Sequence, residues 1–171
     1  MQEMDRKGDD DMGSGKTFKC EKCGYTFSGL FGIGMNFPRV YEECEKRAKS
    51  GELGEELRRF FKEHKHAALK VHTVALCCTV CGHLDTAPEL SVWIPIDEKA
   101  EPKRKKREWT CGISGKYIDS GDLEERYKKV MDYPHKCEKC AGPMKIVMDH
   151  DELQCPTCKI PLTEAGHILW D

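Results

Sequence analysis

Eight cysteines in four Cys-x-x-Cys pairs are the residues whose type and spacing can do chemistry here: Cys20/Cys23, Cys78/Cys81, Cys137/Cys140 and Cys155/Cys158. Each pair puts two soft sulfur donors on one tight backbone hook, and a tetrahedral Zn²⁺ takes four such donors. The last two hooks stand about 14 residues apart in KCEKCAGPMKIVMDHDELQCPTC, a separation that reads as a four-thiolate zinc site. Two hooks close one shell, so the eight sulfurs predict two Zn²⁺ ions. A closed shell of four sulfurs leaves no coordination position for water or substrate, which leans against an enzyme.

Other constellations fall short of a chemistry. His150-x-Glu152 ahead of Cys155-x-x-Cys158 has pieces of a zinc deaminase, but that motif needs a longer interval and a proline just before the pair, whereas Pro156 lies inside it. Gly13-Ser14-Gly15-Lys16-Thr17 ends like a phosphate loop, yet Asp10 stands where its first glycine belongs and Cys20 follows where a helix should start. His64-Lys65-His66 reads as a solvated helix end, and Cys44 as a small buried hydrophobe. A thioredoxin-type site wants a single Cys-x-x-Cys opening a helix in a βαβ unit, a pattern missing here. Cys77 beside Cys78 keeps a thiol or metal switch open as the alternative to a zinc module, together with an iron electron-transfer centre. The roles of Cys44, Cys77 and Cys111 stay open.

Composition agrees with a metal-stapled protein. Of 171 residues 39% are hydrophobic and 34% charged, thin for one large core, and metal sites compensate small cores. The polar start MQEMDRKGDDDM has no apolar signal segment, and no run approaches the roughly 20 apolar residues of a membrane helix. The expectation is a cytoplasmic chain with reduced, metal-held thiols and no membrane contact. A formal net charge of −2 gives no overall basic field, so another protein is the expected partner. The run Lys103-Arg104-Lys105-Lys106-Arg107 offers nucleic acid a contact.

The elements that must position the hooks follow from periodicity. Residues 1–17 read as a disordered lead-in. Phe18, Tyr25 and Phe27 alternate around the first hook as a short strand would, and a glycine-rich apolar loop runs from Ser28 to Phe37. Pro38 opens a helix with the stripe Val40, Tyr41, Cys44 and Ala48; a second helix over Glu52–His64 presents Leu53, Leu57, Phe60 and Phe61. Strands over Ala67–Cys77 and Leu84–Ile96 flank the second hook. Asp97–Glu108 reads as a mobile charged loop, Trp109–Ile113 as a strand, and Asp122–Met131 as a helix with Leu123, Tyr127, Val130 and Met131 inward. Residues 135–171 hold all the parts of one three-stranded ribbon.

Loop closure then favours pairing neighbouring hooks: loops of about 54 and 14 residues beat a cross-braced pair of about 113 and 73 by roughly 2 kcal/mol. Cys20/Cys23 is therefore expected to meet Cys78/Cys81, and Cys137/Cys140 to meet Cys155/Cys158. The expected fold is α+β: 18–96 an N-terminal zinc ribbon with an inserted helical hairpin, 97–134 a connector of loop, strand and helix, and 135–171 a C-terminal zinc ribbon.

FKCEKCGYTF and CCTVCGHL resemble zinc-ribbon knuckles, where Cys-x-x-Cys-Gly is the usual form, and KCEKC…CPTC resembles a second, smaller ribbon. The first hook is also similar to a rubredoxin knuckle, which would hold iron. The resemblance covers roughly a third of the chain. It implies that the eight hook cysteines are ligands and that the protein is a binding module. The long insertion departs from a simple ribbon.

Overall fold

The computed structural model describes residues 13–34, 36–97, 99, 104–108 and 114–169. Most of the expected lead-in, the strand expected over Trp109–Ile113, Lys103 and Cys111 lie outside them. In chain order the elements are β1 (Ser14–Lys19), β2 (Thr26–Phe31), α1 (Phe37–Ser50), α2 (Glu55–Glu63), β3 (Ala68–Lys70), β4 (Thr73–Cys78), β5 (Leu84–Pro88) and β6 (Ser91–Pro95). After them come β7 (Lys105–Glu108), β8 (Ser114–Tyr117), α3 (Ser120–Arg126), β9 (Tyr127–Met131), β10 (Met144–Val147) and β11 (Thr163–Leu169). The mixed α and β content with small antiparallel sheets agrees with the expected class.

Two compact units divide the chain, and both are discontinuous. The first takes the described parts of Met1–Gly34, His72–Glu89 and Pro134–Asp171; the second takes those of Met35–Val71 and Leu90–Tyr133.

In the first unit two hairpins of similar design each gain a third strand from the far end of the chain. Sheet order is β11-β1-β2 in one and β10-β4-β5 in the other. Alternation in TFKCEKCGYTF turns Phe18 and Phe27 to one face, where they oppose each other in register with ring centroids 6.3 Å apart. Phe31, Ala75, Leu84, Val147, Leu153 and Leu162 complete the core with Cys20 and Cys155. Residues 14–17, expected as lead-in, are the first part of β1 and pair on both sides, with Ser14 opposite Leu169 and Phe31. The expected self-contained ribbon over 135–171 is likewise corrected. β10 pairs with β4 (Met144 opposite Cys78) and β11 with β1, so neither strand pairs within that segment.

The second unit packs helices on strands. Pro38 occupies the first turn of α1, whose buried face is Phe37, Tyr41, Cys44, Glu45 and Ala48. Gly51 ends it in the left-handed conformation, φ 90°, that glycine adopts without strain. Leu57 and Phe61, four apart, are the buried pair of α2. The expected long strand over Ala67–Cys77 is broken at Val71 and His72, so β3 joins the sheet β3-β6-β9 while β4 serves the first unit. The expected strand over Leu84–Ile96 breaks the same way at Leu90, which turns through φ 59°. The helix expected to reach Met131 stops at Arg126. Tyr127–Met131 pairs with β6, where aromatic and β-branched residues pack better than in a helix. Part of the charged loop is also ordered, because β7 pairs with β8. β8 comes close to α1: a Cβ at Gly115 would sit 2.6 Å from the Pro38 carbonyl oxygen.

Candidate metal centres

All four hooks have the same local geometry. The amide after the second cysteine donates to the carbonyl of the first: Gly24 to Cys20 at 2.9 Å, Gly82 to Cys78 at 3.0 Å, Ala141 to Cys137 at 2.8 Å and Lys159 to Cys155 at 2.9 Å. The first cysteine's amide donates onward to Tyr25, His83, Gly142 or Ile160 at 2.8–2.9 Å. Closing so tight a turn requires positive φ after the second cysteine, observed at Gly24 (73°), Gly82 (74°), Ala141 (57°) and Lys159 (58°). Two hooks use glycine there; the other two hold an L-residue in a conformation it seldom takes. Amides freed by the turn point at sulfur: Val80 and Cys81 lie 3.4 and 3.5 Å from the Cys78 Sγ, and Cys158 lies 3.4 Å from the Cys155 Sγ.

The hooks assemble two four-sulfur groups, Cys20/Cys23/Cys155/Cys158 and Cys78/Cys81/Cys137/Cys140, the sulfurs of each lying within 4.8 Å of one another. All eight expected cysteines are therefore brought together. The Sγ atoms stand 3.6 Å apart between Cys23 and Cys155, 3.4 Å between Cys78 and Cys140 and 3.7 Å between Cys81 and Cys137. A tetrahedron of Zn–S bonds near 2.3 Å has edges of about 3.8 Å, so the spacing and the donor set fit a metal ion.

The pairing differs from the expected one. It is nested: the outer hooks, first and fourth, form one group and the inner hooks, second and third, form the other. The nested pairing, not the cross-braced one weighed above, closes loops of about 131 and 55 residues, which costs roughly 2 kcal/mol against the sequential pairing. The nested arrangement gains two strand pairings that the sequential one lacks, β10 on β4 and β11 on β1, and the burial of Val147, Leu153 and Leu162 that comes with them. A signal against the sequential pairing exists in the sequence, though it does not separate the nested from the cross-braced one. Hooks one and two carry glycine after the second cysteine and hooks three and four do not, and each group takes one hook of each kind.

Electrostatics within each group are uneven. The Cys81 amide, with that of Val80, draws the Cys78 thiol down to about 6. The Cys158 amide, with that of Thr157, draws Cys155 down to about 7. Cys140 receives the Gly142 amide, yet the bond shared with Cys78 and the burial of the group push it up to about 12. Cys158 is pushed up to about 12, first by the bond shared with Cys23. Sulfur binds metal as thiolate, so an entering metal displaces protons from each group. The two groups also adjoin: a Cβ on Gly82 would meet the Lys159 Nζ at 2.8 Å and the Pro156 Cα at 3.6 Å. That ammonium sits where a shell of four thiolates around a divalent ion would carry excess negative charge.

The remaining candidates separate from these centres. Cys77 is half-buried, belongs to neither group, and its Sγ lies 3.7 Å from the Cys78 carbonyl. Cys44 is buried in α1. His150 packs its ring 4.5 Å from Phe31 and 5.5 Å from Phe18, and the pair that follows it belongs to a four-sulfur group, so the deaminase pieces do not assemble. In the basic run, Arg104 binds both Glu45 carboxylate oxygens, at 2.9 and 2.5 Å, and the Lys105 Nζ lies 3.1 Å from Asp119. Among the described residues no helix is long and apolar enough to cross a membrane. No family model matches the chain, and neither a curated protein nor a solved structure matches it.

Proposed function

We propose that the first unit holds two structural Zn²⁺ ions in two interleaved zinc ribbons, and that the chain is a non-catalytic binding module for another protein. The observation that carries this reading is the pair of four-sulfur groups, each built from two hooks with knuckle geometry. Each group supplies four donors, so a bound ion has no open position for a substrate. The ions set the relative placement of strands far apart in sequence.

A protein partner is supported by the sheet β11-β1-β2. Its Leu30 and Ile168 are 46% and 64% exposed and both lie against the backbone of Gly15, where a Cβ would meet Ile168 at 2.6 Å. Two large apolar side chains meeting over a glycine make an exposed patch of the kind partners cover. The internal pairs of Arg104 and Lys105 draw part of the basic run away from nucleic acid. The test has two parts. Elemental analysis of protein purified from cells should find two zinc atoms per chain and a colourless sample; a red, iron-bearing sample would replace zinc by an iron centre. Co²⁺ substitution should give the absorption of tetrahedral sulfur coordination at both sites. Leu30→Ser with Ile168→Ser should then release co-purifying protein without changing metal content.

A further inference from the structure

Where the last turn of α1 meets α2, the second unit has a cavity of about 540 Å³ lined by Lys49, Glu55, Arg58, Arg59, Phe61 and Lys62. Four cations face one carboxylate there, on a chain whose net charge is −2. Positive charge is therefore gathered at this place against the trend of the composition. A concave wall of one sign focuses its field on an incoming ion of the other.

The charges are not all committed. The Lys49 Nζ lies 3.1 Å from Glu45, and Arg58 grips Glu55 on both oxygens, at 2.8 and 2.7 Å. Glu55, the one carboxylate of the lining, is thus already bound. Arg59 and Lys62 are exposed and form no ion pair among the described residues. Phe61 is buried beneath Lys49, whose ammonium stands 5.9 Å from the ring centroid, so the wall offers no open aromatic face for a base to stack on. Charge and guanidinium N–H donors are what remain for recognition. The volume falls within the roughly 300–1,000 Å³ of small-ligand pockets and has room for more than one phosphate.

We propose that this cavity binds a phosphate-bearing ligand, with phosphate oxygens accepting N–H bonds from Arg59 and the outer edge of Arg58 and with Lys62 and Lys49 supplying charge. Guanidinium forks match tetrahedral phosphate oxygens two at a time, and an ammonium adds a point charge. The inference adds a ligand chemistry to the interaction part of the proposed function and is independent of the metal part, because none of these residues belongs to the first unit.

The test titrates the full-length, metal-loaded chain with pyrophosphate and, separately, with a short single-stranded oligouridylate. Amide NMR shifts and calorimetry are the readouts, at low and physiological salt. Saturable binding is expected, with shifts centred on Arg59 and Lys62. Arg59→Gln with Lys62→Gln should weaken it by about tenfold or more, whereas Lys128→Gln, on β9 and outside the cavity, should change it less than about twofold. Lys62→Gln alone should give an intermediate loss. Binding of pyrophosphate lost in the double variant identifies a small phosphorylated compound. Binding of the oligonucleotide alone, lost in that variant and with a shallower salt slope, identifies a nucleic-acid backbone. Saturation by neither probe, or a double variant that binds like the parent, overturns the proposal. Metal content measured on the same samples separates this outcome from a failure of the zinc reading.

Discussion

The two units solve the same problem by different means. The second buries Tyr41, Leu57, Phe61, Leu69, Val92 and Leu123 among helices and strands, and adds a part-buried ion pair, Glu45 with Arg104. The first has no α-helix among the described residues, a core of ten buried residues that already includes Cys20 and Cys155, and eight sulfurs in two groups. Two small three-stranded sheets without a helix of their own need a staple, and metal coordination contributes on the order of 10 kcal/mol per site. One unit should therefore depend on metal and the other on packing and one ion pair.

The largest test of that contrast is chelation. Stripping metal from the purified chain should abolish hydrogen-exchange protection in β1, β2, β4, β5, β10 and β11 while α1 and α2 keep theirs, a differential on the order of 10 kcal/mol. Equal protection in both units after chelation would erase the contrast. Next comes the nested pairing. Cys155→Ser with Cys158→Ser should reduce metal from two ions to one and expose Cys20 and Cys23 to alkylation, with Cys137 and Cys140 still shielded; reactive Cys137 and Cys140 would restore the sequential pairing.

On the packed side, Glu45→Gln should cost about 3 kcal/mol in denaturant unfolding, because Arg104 is left half-buried without its partner. The same pair sets a pH dependence. Burial alone would raise the Glu45 carboxyl, but the bidentate Arg104, with Lys49, holds it below the usual carboxylate range. A depressed value means stability that is present above the unfolded pKa of about 4.3 and lost as pH falls through the folded value. The wild-type second unit should thus lose stability below about pH 4, and Glu45→Gln should flatten that loss. The smallest effect should come from Cys77→Ser, less than about 1 kcal/mol with metal content unchanged at two, since that thiol belongs to neither group.

What could be read from the sequence divides along the same line. Hook cysteines announce themselves by spacing, since a knuckle is a local object made within about six residues. The stripe of Tyr41, Cys44 and Ala48 and the pair Leu57 and Phe61 were legible for the same reason. Partner choice was not local. β10 and β11 each look like members of a nearby ribbon until they are seen lying on β4 and β1, more than sixty residues back in the chain. Tyr127–Met131 has a helical pattern of apolar residues and a helix before it, and only the presence of β6 as a neighbour makes it a strand. Leu90, an L-residue at positive φ, divides one apparent strand into two just after Pro88, the residue that marks an irregularity there in the sequence.

The nested grouping has a consequence for how the molecule is made. Cys20 and Cys23 leave the ribosome early, but Cys155 and Cys158 follow only some 130 residues later, a delay on the order of 10 s at ordinary elongation rates. Throughout that interval the first two thiols stand without their coordination partners, open to oxidants and to any passing soft cation, and the inner shell, complete at Cys140, can close only shortly before the outer one. The order of synthesis thus makes the outermost cysteines the last to be sheltered and the most exposed to error.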